Sequence, residues 1–302
     1  MNSLSPLSYL DVIARTGSIR RAAEVLSITS TALNRRLLAL EAEIGTPLFE
    51  RLSRGVRLSP AGEVLMGHIR RQDAEVEQVL SHLSELKGER SGRVVIACSQ
   101  AFLPYFLPAQ IAAFRQSHPG VVFTVLRRER EAAEQALLDN SADIAMVVEP
   151  VSLSVMKAVA QLAQNVHAVV RTGHPLAQFG TVRLDDCLRF PVGLPTANHG
   201  VRQLFDLAMG LARKSPNIAV ESDSFDFLRN YRADHDIVTF QMPIGLTDSE
   251  DEDFVHRPVD VRDLRPAEVF VGYLWGRSLP SAAASFLDQV ATAMNELSKP
   301  PA

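Results

Sequence analysis

The feature that most constrains this chain is an uninterrupted helical pattern between residues 61 and 87, which contains no proline. Its apolar residues recur at alternating intervals of four and three, the heptad spacing of a helix that pairs with another helix. One helix cannot bury so narrow a seam alone, so the pattern predicts a dimerising helix in the middle of the chain. The seam consists of Leu65, Ile69, Gln72, Val76, Val79, Leu83 and Leu86, and a polar member such as Gln72 fixes the register of a pair.

The alternative is that this helix packs on the C-terminal part of its own chain. In both cases the helix separates an N-terminal part of the chain from a C-terminal part. The chain has 302 residues, a length that suits two or three domains. We predict an N-terminal domain over residues 1–60, a linker helix with a polar hinge over 61–90, and a C-terminal domain over 91–302.

The charge is distributed unevenly along the chain. Residues 1–60 contain eight arginines and five acidic residues, a net charge of +3, whereas the part from residue 91 onward has 19 basic and 24 acidic residues, a net charge of −5. The whole chain carries −4, which argues against a protein that coats nucleic acid over its entire surface. Only the first segment is suited to contact phosphates.

Three short helices are predicted in this basic segment. Gly17 ends the first, Ser18 caps the second, and either Thr29 or Ser30 caps a third that stops at Gly45. The third helix has an apolar face formed by Leu33, Leu37, Leu40 and Ile44. Its other side presents Thr31, Asn34 and Arg35, side chains that suit base edges in a major groove. The alternative is an ordinary solvated helix face.

A hairpin follows the third helix, with its turn at Gly55. Arg51, Arg54 and Arg57 line it, as expected of a wing on the DNA backbone or minor groove. Ser59-Pro60 then starts the long helix, because proline is favoured at the first helical position.

Residues 17–63 carry a long ordered pattern of Gly-Ser, Ala-Ala, Ala-Leu-x-Arg, Leu-Glu-x-Glu-x-Gly, Leu-Phe-x-Arg and Ala-Gly-Glu. This pattern resembles the DNA-binding domain of LysR-type transcriptional regulators. The resemblance implies a winged helix-turn-helix with Ser30, Thr31, Asn34 and Arg35 at the DNA, a dimerising linker helix and a small-molecule effector domain. The family commonly has Gln-Pro where this chain has Ser30-Thr31, which puts the base preference in doubt.

From Arg93 onward, predicted strands and helices alternate, which indicates an α/β fold with mostly parallel sheet. The order of elements resembles the two-subdomain effector domain of the same family, built like periplasmic binding proteins. On that resemblance, subdomain I covers about 91–164 and 265–302, and subdomain II about 165–264. The predicted fold class is therefore α/β: an all-α winged helix-turn-helix, a long linker helix and a two-subdomain periplasmic-binding-protein-like effector domain.

Three segments follow strands and precede helices, where open α/β folds bind ligands. Their candidate effector-binding residues are Ser99, Gln100, Thr196, Asn198, His199 and Ser222. Hydroxyls and helix-end N–H groups suit a carboxylate, although plain helix caps are an equal alternative for each segment. Glu149, at another strand end, favours an amine or a neutral ligand instead. These indications conflict, and the sequence names no effector.

Other chemistry is not indicated. Cys98 and Cys187 lack the neighbours of a zinc site, and Cys98 suits a buried strand better than a redox switch. The acidic run 248–253 fits a solvated loop, and His235 has no nucleophile to serve. We predict no catalytic residue, no metal and no cofactor.

Three functional classes fit these features. The first is a ligand-responsive transcription regulator, cytoplasmic because no signal peptide or membrane helix is recognised. Its partners would be double-stranded promoter DNA, a small-molecule effector and a second copy, with pairs of dimers forming a homotetramer and RNA polymerase as a further partner. The second is a cytoplasmic small-molecule-binding protein without a specific DNA target. The third is an enzyme with a DNA-binding appendage, which the missing catalytic motifs disfavour.

Overall fold

The computed structural model describes residues 7–86, 91–150, 152, 154–231, 236–246 and 253–298. The chain separates into two compact units, with the boundary after Leu83. The predicted hinge at 87–90, the acidic residues 248–252 and His235 lie outside the described residues.

The N-terminal unit is a helix-turn-helix with a two-stranded hairpin. Its elements are α1 (Ser8–Thr16), α2 (Ile19–Val25), α3 (Ser30–Ile44), β1 (Phe49–Leu52), β2 (Gly55–Leu58) and the long α4 (Pro60–Leu86). The Ser18 hydroxyl accepts from the Arg21 N–H at the start of α2. Thr29, and not Ser30, caps α3, because its hydroxyl accepts from the Ala32 N–H at 3.2 Å.

The core of this unit changes the interpretation of the heptad seam. Met66 and Ile69 of α4 are buried with Leu10 and Ile13 of α1, so the first part of the predicted seam packs within its own unit. Farther along α4 the seam is open: Val76 is 39% and Val79 57% exposed. The side chains of Leu83 and Leu86 lie outside the described set.

The C-terminal unit contains two five-stranded sheets joined by helices. The first part of the chain forms β3 (Ser91–Cys98), α5 (Phe106–Ser117), β4 (Gly120–Arg127), α6 (Arg130–Leu138), β5 (Ile144–Val148) and β6 (Met156–Gln164). The middle part forms β7 (His167–Arg171), α7 (Leu184–Cys187), β8 (Val192–Pro195), α8 (Gly200–Ala212), β9 (Ile218–Ser222), α9 (Phe225–Asn230), β10 (Val238–Gln241) and β11 (Phe254–Pro258). β12 (Ala267–Leu274) and α10 (Ser281–Leu297) complete the unit.

The strand order is β4-β3-β5-β12-β6 in the first sheet and β11-β7-β10-β8-β9 in the second. The chain passes to the second sheet after β6 and returns with β12 to the middle of the first. Among the described strands, β12 and β7 run antiparallel to both of their neighbours. Only the four other pairings are parallel, so the expectation of mostly parallel sheet is wrong.

Buried apolar residues from both sheets and α10 form the main core of this unit, with Phe286, Val290 and Met294 of α10 fully buried. A buried ion pair lies beside the interior strands β3 and β5 of the first sheet. Arg277 Nη2 lies 2.7 Å from Asp143 Oδ1, and Asp143 Oδ2 accepts from the Val95 N–H at 2.8 Å. Burial raises the pKa of Asp143, opposed by the charge of Arg277.

Candidate DNA-binding surface and effector cleft

The recognition helix α3 is fixed in rotation by its buried side. Leu33 and Leu37 are buried in the core of the N-terminal unit, which leaves Ser30, Thr31 and Arg35 exposed and Asn34 half-buried on the other side. Ile44 departs from the expected apolar face, since it is 44% exposed in the last residue of the helix. The four predicted base-contacting residues therefore share one accessible surface.

The wing, residues 49–58, lies beside this surface. The exposed Arg51 extends Nη2 to 3.5 Å from the Asn34 Oδ1 of α3, and Arg54 is exposed in the turn. Arg57 is partly neutralised, because its Nε and Nη2 both lie 2.7 Å from Glu50 Oε2 across the hairpin. Arg51 and Arg54 are therefore better placed than Arg57 to meet a phosphate.

A close backbone approach holds the wing against the turn between α1 and α2. The Val56 N–H donates to the Gly17 carbonyl at 2.9 Å. A Cβ on Gly55 would lie 2.2 Å from that carbonyl oxygen, and Gly55 has a φ of +104°. Glycine is required at Gly55 for both reasons.

In the C-terminal unit, Ser99 and Gln100 come directly after β3 and are buried. The Ser99 hydroxyl accepts from the Val148 N–H at 3.4 Å. The backbone N–H of Gln100 donates to Glu129 Oε1 at 2.7 Å. In the amide orientation that satisfies both neighbours, the Gln100 side chain donates to the Asp223 carbonyl at 2.7 Å and accepts from the Phe225 N–H at 2.9 Å. Gln100 therefore bridges the two sheets of the unit.

His199 stands at the start of α8 and is only 2% exposed. Its Nδ1 lies 3.2 Å from the Thr196 carbonyl oxygen. Its Nε2 has no hydrogen-bond partner among the described residues and lies 3.6 Å from the same Glu129 oxygen that Gln100 contacts. The Phe225 ring packs against the imidazole at a centroid distance of 5.3 Å. Buried polar atoms are almost always hydrogen-bonded, so this nitrogen needs an explanation such as a bound ligand, an ion or a water molecule.

The remaining predicted residues adjoin His199. The Thr196 hydroxyl donates to Asn198 Oδ1 at 2.7 Å, and the Thr196 N–H donates to the Ser222 carbonyl at 3.1 Å. The Ser222 hydroxyl accepts from the Ser224 N–H at 3.1 Å. Thr196, Asn198, His199 and Ser222 thus form one connected group at the strand ends of the second sheet, facing Ser99 and Gln100 of the first.

The space between these groups, termed here the effector cleft, is closed by the protein's own side chains. Arg127 joins Gln100 in spanning it, with Nη1 2.9 Å from the Asp223 carbonyl and Nη2 3.0 Å from its carboxylate. A cavity of about 10 Å³, the space of one water molecule, lies nearby between Ala101 and Phe225, and none of the six candidate residues lines it. The sequence did not indicate Arg127 and Glu129, because they belong to the charged run 127–131 and nothing local shows which of its members meet a distant segment.

Glu149 is not a cleft residue, contrary to expectation. Its carboxylate forms a bidentate pair with Arg265 at 2.9 and 2.8 Å and accepts from the Glu268 N–H at 2.8 Å. Both partners, Arg265 and Glu268, lie where the chain returns to the first sheet, and they occupy the carboxylate. Glu149 therefore gives no reason to expect a cationic ligand in the cleft.

The two cysteines are buried. Burial raises the pKa of each thiol to about 12, which leaves almost no reactive thiolate at neutral pH. Within the described part of the chain, no three His, Cys, Asp or Glu residues come together as metal ligands. No described helix has both the length and the hydropathy needed to cross a membrane.

A winged helix-turn-helix joined by a long helix to a cleft between two α/β sheets defines the class of ligand-responsive DNA-binding regulators. Comparison with known proteins agrees with this class. Residues 4–63 match the bacterial regulatory helix-turn-helix protein, lysR family, and residues 87–295 match the LysR substrate binding domain. The chain belongs to the LysR family of bacterial transcriptional regulators.

Individual relatives are distant. The chain is 25% identical over 68% of its length to the uncharacterized HTH-type transcriptional regulator YbhD of Escherichia coli, and the match spans 65% of that protein. It is 24% identical over 90% of its length to the HTH-type transcriptional regulator CysB of Burkholderia cenocepacia, with 84% of that protein covered. The fold is similar to that of full-length CbnR complexed with its target DNA, at a TM-score of 0.67, 17% identity and coverage of 95% and 98% of the two chains.

Proposed function

We propose that α3 lies in the major groove of promoter DNA with Ser30, Thr31, Asn34 and Arg35 toward the base edges. The observation that carries this proposal is the contact between Arg51 and Asn34, which unites the wing and the polar side of α3 in one surface. Arg51 and Arg54 contact phosphates. The DNA complex of CbnR supports this use of the fold.

Selection of duplexes from genomic DNA tests the proposal. The full-length chain should enrich a two-fold symmetric site, and Arg35→Ala should lose discrimination by about 1–3 kcal/mol at one position of each half-site. Arg54→Ala should weaken all sequences equally and reduce the salt slope by about 1 for each bound subunit. Arg115→Ala, an exposed arginine of α5 in the C-terminal unit, is the matched control. If Arg35→Ala and Arg115→Ala enrich the same sites equally well, α3 does not contact bases as proposed.

The exposed part of the α4 seam supports a homodimer. Val76 and Val79 present apolar side chains that a second copy would cover, and a dimer places two recognition helices at half-sites about 34 Å apart. Val79→Asp should shift sedimentation toward the monomer. Val64→Asp is the control, since Val64 is 76% exposed on the same helix but outside the seam. Equal effects of the two substitutions would exclude the seam as the interface.

Membership of the LysR family supports a proposal about assembly beyond the dimer. We propose a homotetramer in the cytoplasm that acts by binding and not by catalysis, with RNA polymerase as a transient partner at the promoter. Sedimentation of the full-length chain across a concentration series tests the tetramer.

For the C-terminal unit, we infer that a small polar effector binds in the cleft after the two sheets separate. The effector replaces the Gln100 side chain at the Phe225 N–H and the Asp223 carbonyl, and it satisfies His199 Nε2. The single observation behind this is the unpaired, buried nitrogen of His199 facing residues of the opposite sheet. The effector can shift the equilibrium between the open and closed states only if it binds them with unequal affinity.

Thermal unfolding with a panel of small carboxylic acids and small amines tests this site. A binding compound raises the melting temperature of the wild type, because a ligand that binds only the folded state stabilises it. His199→Ala should abolish the shift, whereas Leu207→Ala, at a position of α8 that is 53% exposed, should preserve it. A shift that survives in His199→Ala would place the ligand elsewhere.

A further inference from the structure

A carboxylate on the recognition helix holds the first strand of the wing. Glu41 of α3 accepts hydrogen bonds through Oε1 from the Leu48 N–H at 2.7 Å and the Phe49 N–H at 3.2 Å. Its backbone carbonyl accepts from the Gly45 N–H at 2.9 Å. Glu41 therefore accepts hydrogen bonds from three backbone N–H groups, those of Gly45, Leu48 and Phe49.

The rest of the wing is held by other elements. The Ser59 N–H donates to the Leu48 carbonyl at 2.9 Å, and the Gly62 N–H of α4 donates to the Ser59 hydroxyl at 3.1 Å. The Val56 N–H is bound to the turn before α2. These bonds fix the second strand to α4 and to that turn, and none of them involves α3.

The bonds at Glu41 are the strong part of the link between α3 and the wing. The other polar contact between them, Arg51 to Asn34, joins two side chains at 3.5 Å on the surface, the outer limit of a hydrogen bond. An ionised acceptor makes shorter and stronger hydrogen bonds. Apolar burial of Leu48 and Phe49 fixes where the strand begins, whereas the directional bonds to Glu41 fix its angle to the helix.

We propose that Glu41 is a positioning residue for DNA binding. It sets the wing so that Arg51 and Arg54 reach the backbone while α3 occupies the groove. The inference rests on the proposed DNA surface, because it assumes that these two arginines meet phosphates.

The test combines Glu41 variants with Arg54→Ala in the full-length chain. Glu41→Met keeps the length of the side chain but has no oxygen acceptor, and Glu41→Gln keeps one amide oxygen. Glu43→Met makes the same charge change at an exposed position of the same helix. The dissociation constant is measured against salt on a duplex selected by the wild-type chain.

In the wild type, Glu41→Gln and Glu43→Met backgrounds, Arg54→Ala should reduce the salt slope by about 1 for each bound subunit, the value for one phosphate contact. In the Glu41→Met background, Arg54→Ala should leave the slope unchanged, because the wing no longer reaches the backbone. Arg35→Ala should weaken binding by the same factor in all four backgrounds.

Two negative results separate the proposals. If Arg54→Ala leaves the slope unchanged in the wild type, the wing contact itself is wrong. If it reduces the slope equally in the wild type and in Glu41→Met, the wing contact stands and the role of Glu41 is refuted. Should Glu41→Met fail to fold by circular dichroism, Glu41→Asp takes its place, since its shorter side chain holds the carboxylate out of reach of the Leu48 and Phe49 N–H groups, and the same comparison decides.

Discussion

A substitution at Gln100 alone should destabilise the closed state of the effector cleft. Gln100→Ala removes the acceptor of the Phe225 N–H and the donor to the Asp223 carbonyl. A typical hydrogen bond contributes about 0.5–1.5 kcal/mol, and two of them about 1–3 kcal/mol. The Arg127–Asp223 pair remains, but it is solvent-exposed and contributes about 1 kcal/mol or less. The open state should therefore gain about 5- to 150-fold in relative population.

Amide hydrogen exchange at Phe225 follows the loss of its hydrogen bond to Gln100. Its N–H is protected in the closed state by Gln100, so Gln100→Ala should accelerate exchange of that amide while the buried strands β3 and β8 keep their protection. Gln203→Ala is the matched control, because its amide donates to the Ala197 carbonyl within the second subdomain and does not span the cleft. If Phe225 exchanges at the same rate in the wild type and both variants, Gln100 does not hold the cleft closed.

Three further outcomes are expected. Cys98 and Cys187 should resist iodoacetamide at pH 8 until denaturant is added, because burial raises the pKa of both thiols to about 12; rapid labelling of the folded chain, measured by mass spectrometry, would contradict this. Arg277→Met should cost about 3–5 kcal/mol in chemical unfolding by leaving Asp143 buried without its partner. The Arg277 charge opposes the effect of burial on Asp143, so its removal raises the pKa of that carboxyl further above the unfolded value. The loss should therefore be smallest below the unfolded pKa of Asp143 and should grow as the pH rises through the folded pKa; a loss independent of pH would refute the assignment. Gly55→Ala should weaken DNA binding and lower the melting temperature, whereas Gly210→Ala, with open space around it, should do neither.

Local patterns predicted the N-terminal unit well. The intervals in α3 and the glycine in the hairpin are decided within a few residues, and both features are present in the structure. The heptad seam was a weaker guide, because spacing alone does not distinguish a partner helix from the unit's own α1. Ile69 follows the seam in sequence but is buried with Leu10.

The C-terminal unit shows where sequence patterns fail. β6 was not predicted, since its Lys, Ala, Gln and Leu residues favour helices and only pairing with β12 makes it a strand. β8 is short and contains glycine and proline, and β11 ends in proline at the sheet edge, where proline is tolerated. The candidate segments do meet across the cleft, but nothing local shows that Gln100 fills the space between them.

The path of the chain through the two sheets sets the order in which the protein can be built on the ribosome. The helix-turn-helix is complete once the start of α4 has emerged, so its core can assemble early. The first sheet must wait, because β12 lies between β5 and β6 and is made only after the entire second subdomain. During that interval β5 and β6 have unpaired edges, and exposed edges of this kind favour aggregation. A nascent chain halted before residue 267 would therefore present a finished DNA-binding domain attached to an unfinished sensor.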